Sequence, residues 1–386
     1  MKKNFYHLVF AQNYVTYHSS MYSEFFKKSK KKTIVFYEDS SGKSERIERR
    51  WGSKLNWGIN ITKGFKSILL KNYSKDPYSG KFFSRVNLQI PFIIFKTKPK
   101  SVFFQGYSDL SSWLILISCF FLGVKIINWK GERVLKKNEK ISKLKIFILK
   151  FFFFKYCTRI FYSCNGNLKY LQTFNIKKKK LLPMYCSVNN SFFQSEYKKN
   201  LTNISRIKKQ NNFLKKDFII IIVANFEKRK NIKRILEILP LISEQPIKFI
   251  LVGSGNDKSD IMFYKRRYKD KIKLTGFIDI KNISKYYSLA NLYILLSDYD
   301  PSPKTLNEAL NFGLPCIVSD NIGTSSDLIK NGINGYIIKN INKFRLCNYI
   351  KRVLIDKQFK QRSLIYNYKK LKLYSPVQNA NVLLSK

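Results

Sequence analysis

The second half of the chain is a regular series of short apolar runs, each followed by a segment with helical spacing. The run at 218–224 is continuously apolar, and residues 231–242 after it place apolar side chains at helical intervals. Further runs at 248–252 and 292–296 extend the pattern. Strand–helix units of about 25–30 residues predict a parallel sheet covered by helices on both faces. We therefore expect an α/β domain at 217–365.

The first half shows the same rhythm less clearly. Its apolar runs at 5–10, 33–37 and 101–104 have the length of buried strands. Residues 187–216 are instead polar, rich in Asn and Lys and poorly periodic, which is typical of a connection between domains. The expected organisation has four parts: a first α/β domain at 1–195, a linker at 196–216, the second domain at 217–365, and a C-terminal segment at 366–386 that packs back on the first domain.

The chain is strongly basic, with 73 Lys and Arg against 24 Asp and Glu and a net charge of +49. Such an excess is typical of proteins that bind nucleic acid, anionic membranes or anionic substrates. Part of it has a simpler origin, because Lys, Asn, Ile, Phe and Tyr are abundant together, as AT-rich coding DNA produces. The charge is spread over both halves and no RNA-binding or zinc-finger spacing accompanies it. Nucleic acid is therefore the disfavoured partner.

Two apolar stretches raise the question of a membrane. The run at 110–124 is about 15 residues long, short of the roughly 20 that cross a bilayer, so we predict a buried helix there. The segment KLKIFILKFFFFKYC at 143–157 mixes lysines with phenylalanines. Two interpretations stay open for it: a helix lying in an anionic membrane interface, or a core-facing helix whose lysines extend outward. The first twelve residues read as a strand more readily than as a signal peptide.

The number and spacing of the cysteines and histidines limit the metal sites that the chain can form. The six cysteines are scattered, without a CxxC pair, and are expected to be small buried side chains in a reducing compartment. Only two histidines are present, which excludes a His-rich metal site. We expect no metal and no organic cofactor.

Polar residues and glycines follow the predicted strands of the second domain, at the edge where open α/β sheets bind ligands. A lysine beside a helix start suits a phosphate, which the free backbone N–H groups also attract. Glycines permit the close approach of a backbone to a planar ligand or a phosphate, and a ring near them suits a base. The residues concerned are Asn225, Lys230, Gly253, Gly255, Gly276 and Phe277.

The stretch at 297–320 follows a further buried run and has two acids, two prolines and then a helical pattern. Asp300 and Glu308 are eight positions apart, and a helix is predicted to begin between them at Lys304 and Thr305. Taken singly, each of these features also fits a plain turn or a solvated charge. Their joint occurrence at successive strand ends favours one shared ligand site.

Five segments carry a family resemblance: VANFEKRKNIKRILEIL, KFILVGSGND, IKLTGFID, the stretch at 297–320, and NGINGYII. Together they resemble the donor domain of retaining glycosyltransferases of family 4, group 1 glycosyltransferases with the GT-B fold. The resemblance covers residues 218–340 and is weak in the first half. It implies an α/β protein of two Rossmann-like domains that face each other across a cleft.

The resemblance also implies roles for individual residues. Glu308 would contact the ribose, Asp300 the donor sugar and Lys230 the diphosphate, which makes Lys230 and Asp300 the catalytic residues. Asp300 stands where the family usually has the longer Glu, and Asn225 stands where it has an Arg. The charge that Asn225 lacks would then come from a neighbouring cation, namely Lys228, Arg229 or Lys304.

The implied activity is transfer of a sugar, with retention, from a nucleotide-diphosphate donor to a saccharide or lipid-linked saccharide. No metal is required, and the leaving phosphate helps to take the acceptor proton. The implied setting is synthesis of capsule, lipopolysaccharide or exopolysaccharide by a cytoplasmic protein held peripherally on the inner face of the cell membrane, an anionic surface. On the acceptor side we place four strand-end residues of the first domain: Asn13, Gln105, Lys130 and Glu132.

Two other interpretations remain open. Asp298 and Asp300 form an acid–x–acid pair at a strand end, which in the other large glycosyltransferase fold holds a divalent metal. That fold carries the pair in an amino-terminal domain, whereas here it lies near residue 300. Alternatively, Asn225 and Asp300 mark a non-catalytic protein that binds nucleotide sugars or polyanions with the same fold.

Overall fold

The computed structural model describes residues 7–42, 46–48, 53–55, 60–77 and 79–385. These residues divide into two compact units. Unit 1 holds the described residues of 1–45, 59–186 and 376–386, and unit 2 holds those of 46–58 and 187–375. The predicted strand at 5–10 falls partly outside the described residues.

The apolar runs of the first half form a sheet in unit 1. The first nine strands are β1 (His7–Ala11), β2 (Thr33–Tyr37), β3 (Arg46–Glu48), β4 (Ser53–Leu55), β5 (Ser67–Leu69), β6 (Ser101–Gln105), β7 (Ile126–Gly131), β8 (Arg159–Tyr162) and β9 (Leu181–Pro183). Strands β3 and β4 pair only with each other. The other seven form a parallel sheet in the order β5-β2-β1-β6-β7-β8-β9. Every residue of β2 is buried, which explains why its sequence is a continuous apolar run.

Helices cover both faces of this sheet. They are α1 (Thr16–Lys28), α2 (Ile90–Thr97), α3 (Leu110–Phe121), α4 (Lys143–Ile148), which continues into a π-helical turn at Leu149–Phe154, and α5 (Asn165–Gln172). From β5 onward the strands are added in one direction, so right-handed crossovers place α2 to α5 on one face and α1 on the other. The core is consistent with helices on this face of the sheet, because Ile94, Ile115 and Phe153 belong to the same buried cluster as the strand residues Phe104 and Trp129.

Unit 2 contains the regular alternation seen in the sequence. Its strands are β10 (Phe218–Val223), β11 (Ile247–Val252), β12 (Ile272–Gly276), β13 (Leu292–Leu295), β14 (Cys316–Ser319) and β15 (Gly335–Ile338). They form a parallel sheet in the order β12-β11-β10-β13-β14-β15. The chain adds β11 and β12 on one side of β10 and then returns to add β13 on the other. The strand order therefore reverses between β10 and β13, where open α/β sheets bind ligands.

The helices of unit 2 lie on both sides of its sheet. They are α6 (Asn190–Thr202), α7 (Ile204–Gln210), α8 (Ile232–Leu236), α9 (Lys258–Arg267), α10 (Ile280–Leu289), α11 (Lys304–Asn311), α12 (Ser325–Leu328), α13 (Lys343–Ile355) and α14 (Phe359–Leu373). The helix predicted at 231–242 is shorter, and a 3₁₀ turn at Leu239–Ile242 follows α8. Pro240 accounts for the break, because it has no N–H to continue the helix.

The structure corrects the expected boundary between the two domains. The linker predicted at 196–216 is wrong for most of its length, because its first residues belong to α6 and α7 fills its middle, both within unit 2. Their apolar positions are few: α6 buries Phe193 and Tyr197, and α7 buries Ile207. The segment at 366–386 divides, since α14 stays in unit 2 whereas the final helix α15 (Pro376–Leu384) belongs to unit 1 and packs against α1.

Two further expectations concern burial. All six cysteines are buried, which confirms that they are small core side chains. The run at 110–124 gives the predicted helix α3, and β7 follows it. Among the described residues, no helix has both the length and the apolar character needed to cross a bilayer.

Candidate functional site

The candidate site lies at the carboxyl edge of the unit 2 sheet, where the strand order reverses. The loop after β10 carries Asn225 and ends in a 3₁₀ turn at Lys228–Lys230. The loop after the neighbouring strand β13 carries Asp298 and Asp300. The topology therefore brings together two loops about 70 positions apart in the sequence.

Lys230 and Asp300 form the central pair of this site. The Lys230 Nζ donates a hydrogen bond to Asp300 Oδ2 over 2.5 Å, and the two side chains are 8% and 14% exposed. An ammonium group can donate three hydrogen bonds, so this pairing leaves Lys230 able to bind further oxygen atoms. The structure thus unites the two residues predicted to be catalytic.

A network that the sequence did not predict holds the two loops together. Asn231 has a left-handed backbone (φ 52°), and its Nδ2 donates to the Leu296 carbonyl (2.8 Å) and to Asp298 Oδ1 (2.7 Å). Arg229 Nη1 donates to the Tyr299 carbonyl over 2.9 Å. These bonds fix the loop of Lys230 against the loop of Asp300. The signal in the sequence was weak, since a single Asn among many gives no indication of a left-handed turn.

Gly253 and Gly255 position the first of these loops. Their φ values are 138° and 154°, and a Cβ would come within 1.9 Å of the Ala224 carbonyl oxygen and 2.4 Å of the Phe226 carbonyl oxygen. The turn after β11 thus lies directly against the backbone of the turn after β10, and Phe226 N donates to the Ser254 carbonyl over 2.8 Å. Contacts within the chain therefore explain why glycine occupies both positions.

Gly276 and Phe277 lie at the end of β12, on the same edge. Gly276 has φ 72° and accepts a hydrogen bond from Gly253 N over 2.8 Å. The Phe277 side chain is 37% exposed. Its position leaves a ring surface available to a base or another planar group.

Helix α11 carries Glu308 in its middle, one turn after its first residue, Lys304. Leu306, Ala309 and Leu310 are buried, which fixes the helix against the sheet. The Tyr287 hydroxyl donates to Glu308 Oε2 over 2.9 Å. Burial raises the pKa of the Glu308 carboxyl to about 7, although the bond from Tyr287 lowers it.

The start of α11 carries the other two predicted residues of this stretch. Lys304 is the first residue of the helix, where backbone N–H groups lack helical partners. The Thr305 hydroxyl lies 2.8 Å from the Tyr293 hydroxyl, so it shares a hydrogen bond with the core. A helix start with an adjacent lysine is a chemical environment suited to an anion.

The possible metal pair, Asp298 and Asp300, has other partners in the structure. Asp298 accepts from Asn231, and Asp300 accepts from Lys230 and from Ser302 N (3.3 Å). In the part of the chain that the structure describes, no three His, Cys, Asp or Glu side chains come together in a way that could hold a metal ion. Metal-independent chemistry stays a prediction.

The four residues predicted on the acceptor side lie at the carboxyl edge of the unit 1 sheet. Lys130 is 4% exposed and its Nζ lies 3.3 Å from Glu132 Oε1. The Gln105 carbonyl accepts from Gln12 Nε2 over 3.2 Å. Asn13 follows β1 and is partly buried.

The sequence interpretation missed an ionic cluster at this edge of unit 1. Arg85 contacts three carboxylates, with N–O distances of 2.9 Å to Asp109, 3.4 Å to Glu38 and 3.8 Å to Asp39. Burial, together with the charge of Asp109, raises the pKa of the Glu38 carboxyl well above its usual range. An available signal was the acid pair Glu38-Asp39 directly after the apolar run of β2.

Comparison with known proteins agrees with this geometry. Residues 203–371 match the family described as glycosyl transferases group 1. The amylovoran biosynthesis glycosyltransferase AmsD of Erwinia amylovora is 24% identical over 244 residues, which cover 63% of this chain and 64% of AmsD. An Escherichia coli UDP-Gal:α-D-GlcNAc-diphosphoundecaprenol α-1,3-galactosyltransferase is 33% identical over 113 residues, 28% of each chain. The matched segments thus span less than two thirds of these relatives.

Solved structures extend the likeness to both units. Anabaena HepE in complex with UDP has a TM-score of 0.74 at 11% identity, covering 98% of each chain. A glycosyltransferase from Rickettsia africae has a TM-score of 0.75 at 13% identity, covering 99% of this chain and 97% of that one. At these identities the likeness concerns the fold. The predicted GT-B class, with two Rossmann-like α/β domains, is confirmed.

Residues 203–371 thus resemble the group 1 glycosyl transferases, and the chain shares its fold with GT-B glycosyltransferases.

Proposed function

We propose that this protein is a retaining glycosyltransferase of family 4. It moves a sugar from a nucleotide-diphosphate donor to a saccharide or lipid-linked saccharide during synthesis of cell-surface polysaccharide. The names of its relatives support this setting, because one acts in amylovoran biosynthesis and another carries a diphosphoundecaprenol acceptor in its name.

One observation carries the proposal: the Lys230–Asp300 pair lies where the strand order reverses, within the residues that resemble group 1 glycosyl transferases. A buried lysine with a single carboxylate partner and further N–H groups is suited to the oxygens of a diphosphate. The start of α11 adds backbone N–H groups and Lys304 at the same edge. Donor binding follows from these groups, with Glu308 on the ribose and Phe277 beside the base.

In the proposed reaction the acceptor oxygen attacks the anomeric carbon from the face that the diphosphate leaves. The bond between that carbon and the phosphate oxygen breaks, and the acceptor proton passes to the leaving phosphate. Lys230 stabilises the charge that develops on the diphosphate, and Asp300 orients the donor sugar through its hydroxyl groups. Loss of one such preorganised donor typically raises a barrier by about 2.7–4 kcal/mol.

The identity of the donor sugar depends on two departures from the family pattern. Asp300 is one methylene shorter than the usual Glu, so its carboxylate reaches less far towards the sugar. Asn225 lacks the charge of the usual Arg. Lys304 lies at the start of α11, where backbone N–H groups also attract an anion, so we assign the compensating charge to Lys304.

The acceptor side belongs to unit 1, with Asn13, Gln105, Lys130 and Glu132 at its sheet edge. Because Lys130 is buried and paired with Glu132, it would orient other groups rather than meet the acceptor as a free cation. The proposed place of action is the cytoplasmic face of the cell membrane. No metal or organic cofactor takes part in the proposed reaction.

A donor screen followed by a transfer assay tests this function. UDP-, GDP- and ADP-sugars are first compared by the shift they produce in the melting temperature, since a ligand of the native state raises it. The best donor is then incubated with lipid-linked saccharide acceptors in EDTA. The anomeric configuration of the product is read from the proton coupling constant at the anomeric carbon.

We expect one donor class to stabilise the protein, and a product that keeps the anomeric configuration of the donor. Stabilisation without transfer or hydrolysis would favour the non-catalytic binder. Activity that is lost in EDTA and restored by Mn²⁺ would favour a metal at Asp298 and Asp300. An inverted product would refute the retaining mechanism.

A further inference from the structure

Unit 1 exposes a set of large apolar side chains on the helical layer formed by α3, α4 and the π-helical turn after α4. Six of them define what we call the aromatic surface: Phe120, Phe121, Leu144, Phe147, Phe151 and Phe152. Phe121 is 78% exposed and Leu144 is 68% exposed. Large apolar side chains grouped on a surface mark a site of interaction with a protein or a membrane.

Ring contacts join these side chains in two groups. The Phe147 ring lies 5.1 Å from that of Phe151 and 5.9 Å from that of Phe152. The Phe120 ring lies 4.8 Å from that of Tyr156, which joins the end of α3 to the end of the π-helical turn. The two groups lie on elements that follow each other closely, since the Phe120–Tyr156 contact brings the end of α3 to the end of the π-helical turn.

The core does not account for this patch. Within the run 151–154, Phe153 and Phe154 are fully buried against Trp129, while Phe151 and Phe152 point outward. The π-helical register divides the run, since Lys155 N donates to the Lys150 carbonyl, five residues back, over 3.2 Å. Phe153 and Phe154 already fill the core at this point, so core packing does not explain the outward-facing Phe151 and Phe152.

The segment that forms α4 and the π-helical turn carries charge of a single sign. The sequence contains no Asp or Glu between Lys140 and Ser195, and lysines at 143, 145, 150 and 155 alternate with the apolar residues. The Lys150 ammonium lies 5.1 Å from the centre of the Phe151 ring, and that of Lys155 lies 5.8 Å from the Tyr156 ring. Lysine stems beside aromatic rings are typical of segments that lie in the headgroup region of an anionic bilayer.

We propose that unit 1 docks on an anionic lipid bilayer through the aromatic surface. The aromatic side chains enter the boundary between headgroups and acyl chains, and the four lysines bind anionic headgroups. A second copy of the chain is a poorer occupant, because a two-fold interface would place the same lysines against each other. The inference goes beyond sugar transfer and does not depend on it.

Co-sedimentation with vesicles tests the docking. Wild-type protein is mixed with phosphatidylcholine vesicles with and without phosphatidylglycerol, and the bound fraction gives a partition coefficient. The aromatic variant is Phe121→Ser/Phe151→Ser/Phe152→Ser. The matched control removes three equally exposed apolar side chains of unit 2, in Phe344→Ser/Ile355→Ser/Ile365→Ser. A charge variant, Lys150→Glu/Lys155→Glu, separates the electrostatic contribution.

We expect phosphatidylglycerol to raise the wild-type partition coefficient by about tenfold or more. The aromatic and charge variants should each lose about tenfold, whereas the control stays within about twofold of wild type. Salt of about 0.5 M should reduce binding by screening the lysines. Absence of wild-type binding, or equal losses in the aromatic variant and the control, would overturn the proposal.

Two further measurements keep the result interpretable. Circular dichroism shows whether the aromatic variant is folded, and the melting-temperature shift with the best nucleotide sugar shows whether its donor site is intact. A variant that binds donor but not vesicles supports the docking surface. Donor binding in a wild-type protein that ignores vesicles would refute the docking and leave the proposed function in place. If light scattering shows a dimer that the aromatic variant abolishes, and vesicles are not bound, the surface joins two copies instead.

Discussion

The carboxyl edges of the two sheets both carry a buried cation, but the acidic surroundings of that cation differ between them. In unit 1 Arg85 contacts three acidic side chains, those of Glu38, Asp39 and Asp109. Among the described residues of unit 2, Lys230 pairs with one carboxylate, that of Asp300. Both edges lie where the strand order reverses, so topology alone does not distinguish them. The two edges differ instead in the number of acidic side chains that the chain places beside the cation.

The two edges also differ in how closely their own side chains pack around them. Gln12 Nε2 donates to Asp109 Oδ2 over 3.1 Å and to the Gln105 carbonyl, and a Cβ at Gly106 would lie 2.4 Å from Gln12 Nε2. In unit 2 no described atom outside its chain neighbours lies within 4 Å of a Cβ at Gly276. The edge of unit 1 is filled by its own side chains, whereas the edge of unit 2 keeps donors and space. A cation with spare donors is suited to ligands, whereas a cation surrounded by three carboxylates of its own chain is suited to stability.

Arg85→Met gives the largest expected effect, because it leaves buried carboxylates without their cation. Breaking a buried ion pair in this way typically costs about 3–5 kcal/mol of unfolding free energy. Urea unfolding followed by hydrogen–deuterium exchange of unit 1 peptides would measure the loss. Arg362→Met, which removes an exposed partner of Asp356, is the control and should leave the unfolding midpoint unchanged. An unaltered midpoint in Arg85→Met would mean that the cluster does not stabilise unit 1.

Lys230→Ala tests the opposite property at the edge of unit 2. We expect the transfer rate to fall by about 10²–10³, since Lys230 stabilises charge on the leaving diphosphate. Steady-state kinetics measures the loss, and Lys233→Ala, three positions further on and exposed, is the matched control. Circular dichroism shows whether Lys230→Ala stays folded, and a folded but inactive variant assigns the effect to the missing cation. Normal turnover by Lys230→Ala would refute the site.

The pKa of Glu308, at about 7, predicts a pH dependence that Glu308→Gln removes. Between the usual carboxyl pKa of 4.5 and about 7, the folded protein holds a proton that the unfolded chain has lost. The stability contribution of Glu308 is therefore full below pH 4.5 and is lost as pH rises through about 7. Relative to wild type, Glu308→Gln should gain on the order of 1–3 kcal/mol over this range. Urea titrations at several pH values would show it, and parallel curves would contradict the raised pKa.

The pair Lys233–Asp260 is a reference for an exposed ion pair away from both sheet edges. Its side chains are 55% and 50% exposed, and the N–O distance is 3.5 Å. Lys233→Ala should change the unfolding free energy by no more than about 1 kcal/mol. The same urea titration measures it. A loss comparable with that of Arg85→Met would show that burial does not set the value of ion pairs in this protein.

The sequence predicted the parts of the molecule that depend on local pattern. Continuous apolar runs identified β10, β11 and β13, because strands buried on both faces have no polar positions. The rule that ligand groups follow strands selected Lys230 and Asp300, which the fold then brought into contact. The helices α6 and α7 were missed because each buries so few apolar side chains that its pattern resembles a loop.

The remaining errors and omissions concern contacts between distant residues. Arg85 reaches Glu38 and Asp109 from 47 and 24 positions away, and no local pattern marks such a pairing. The same holds for Asn231, whose partners Leu296 and Asp298 lie on another loop. Gly253 and Gly255 were predicted to let a ligand approach closely, which stays a prediction; the close neighbour in the structure is the backbone after β10.

Calorimetric titration of Lys230→Ala with a nucleoside and with its diphosphate tests the central claim most directly. The nucleoside contacts only the ribose and base subsites, so its affinity should be the same in wild type and variant. The diphosphate should bind about tenfold or more weakly to the variant, a difference of about 1.4 kcal/mol or more. Equal affinities of wild type and variant for the diphosphate, or equal losses for both ligands, would contradict the assignment of Lys230 to the diphosphate.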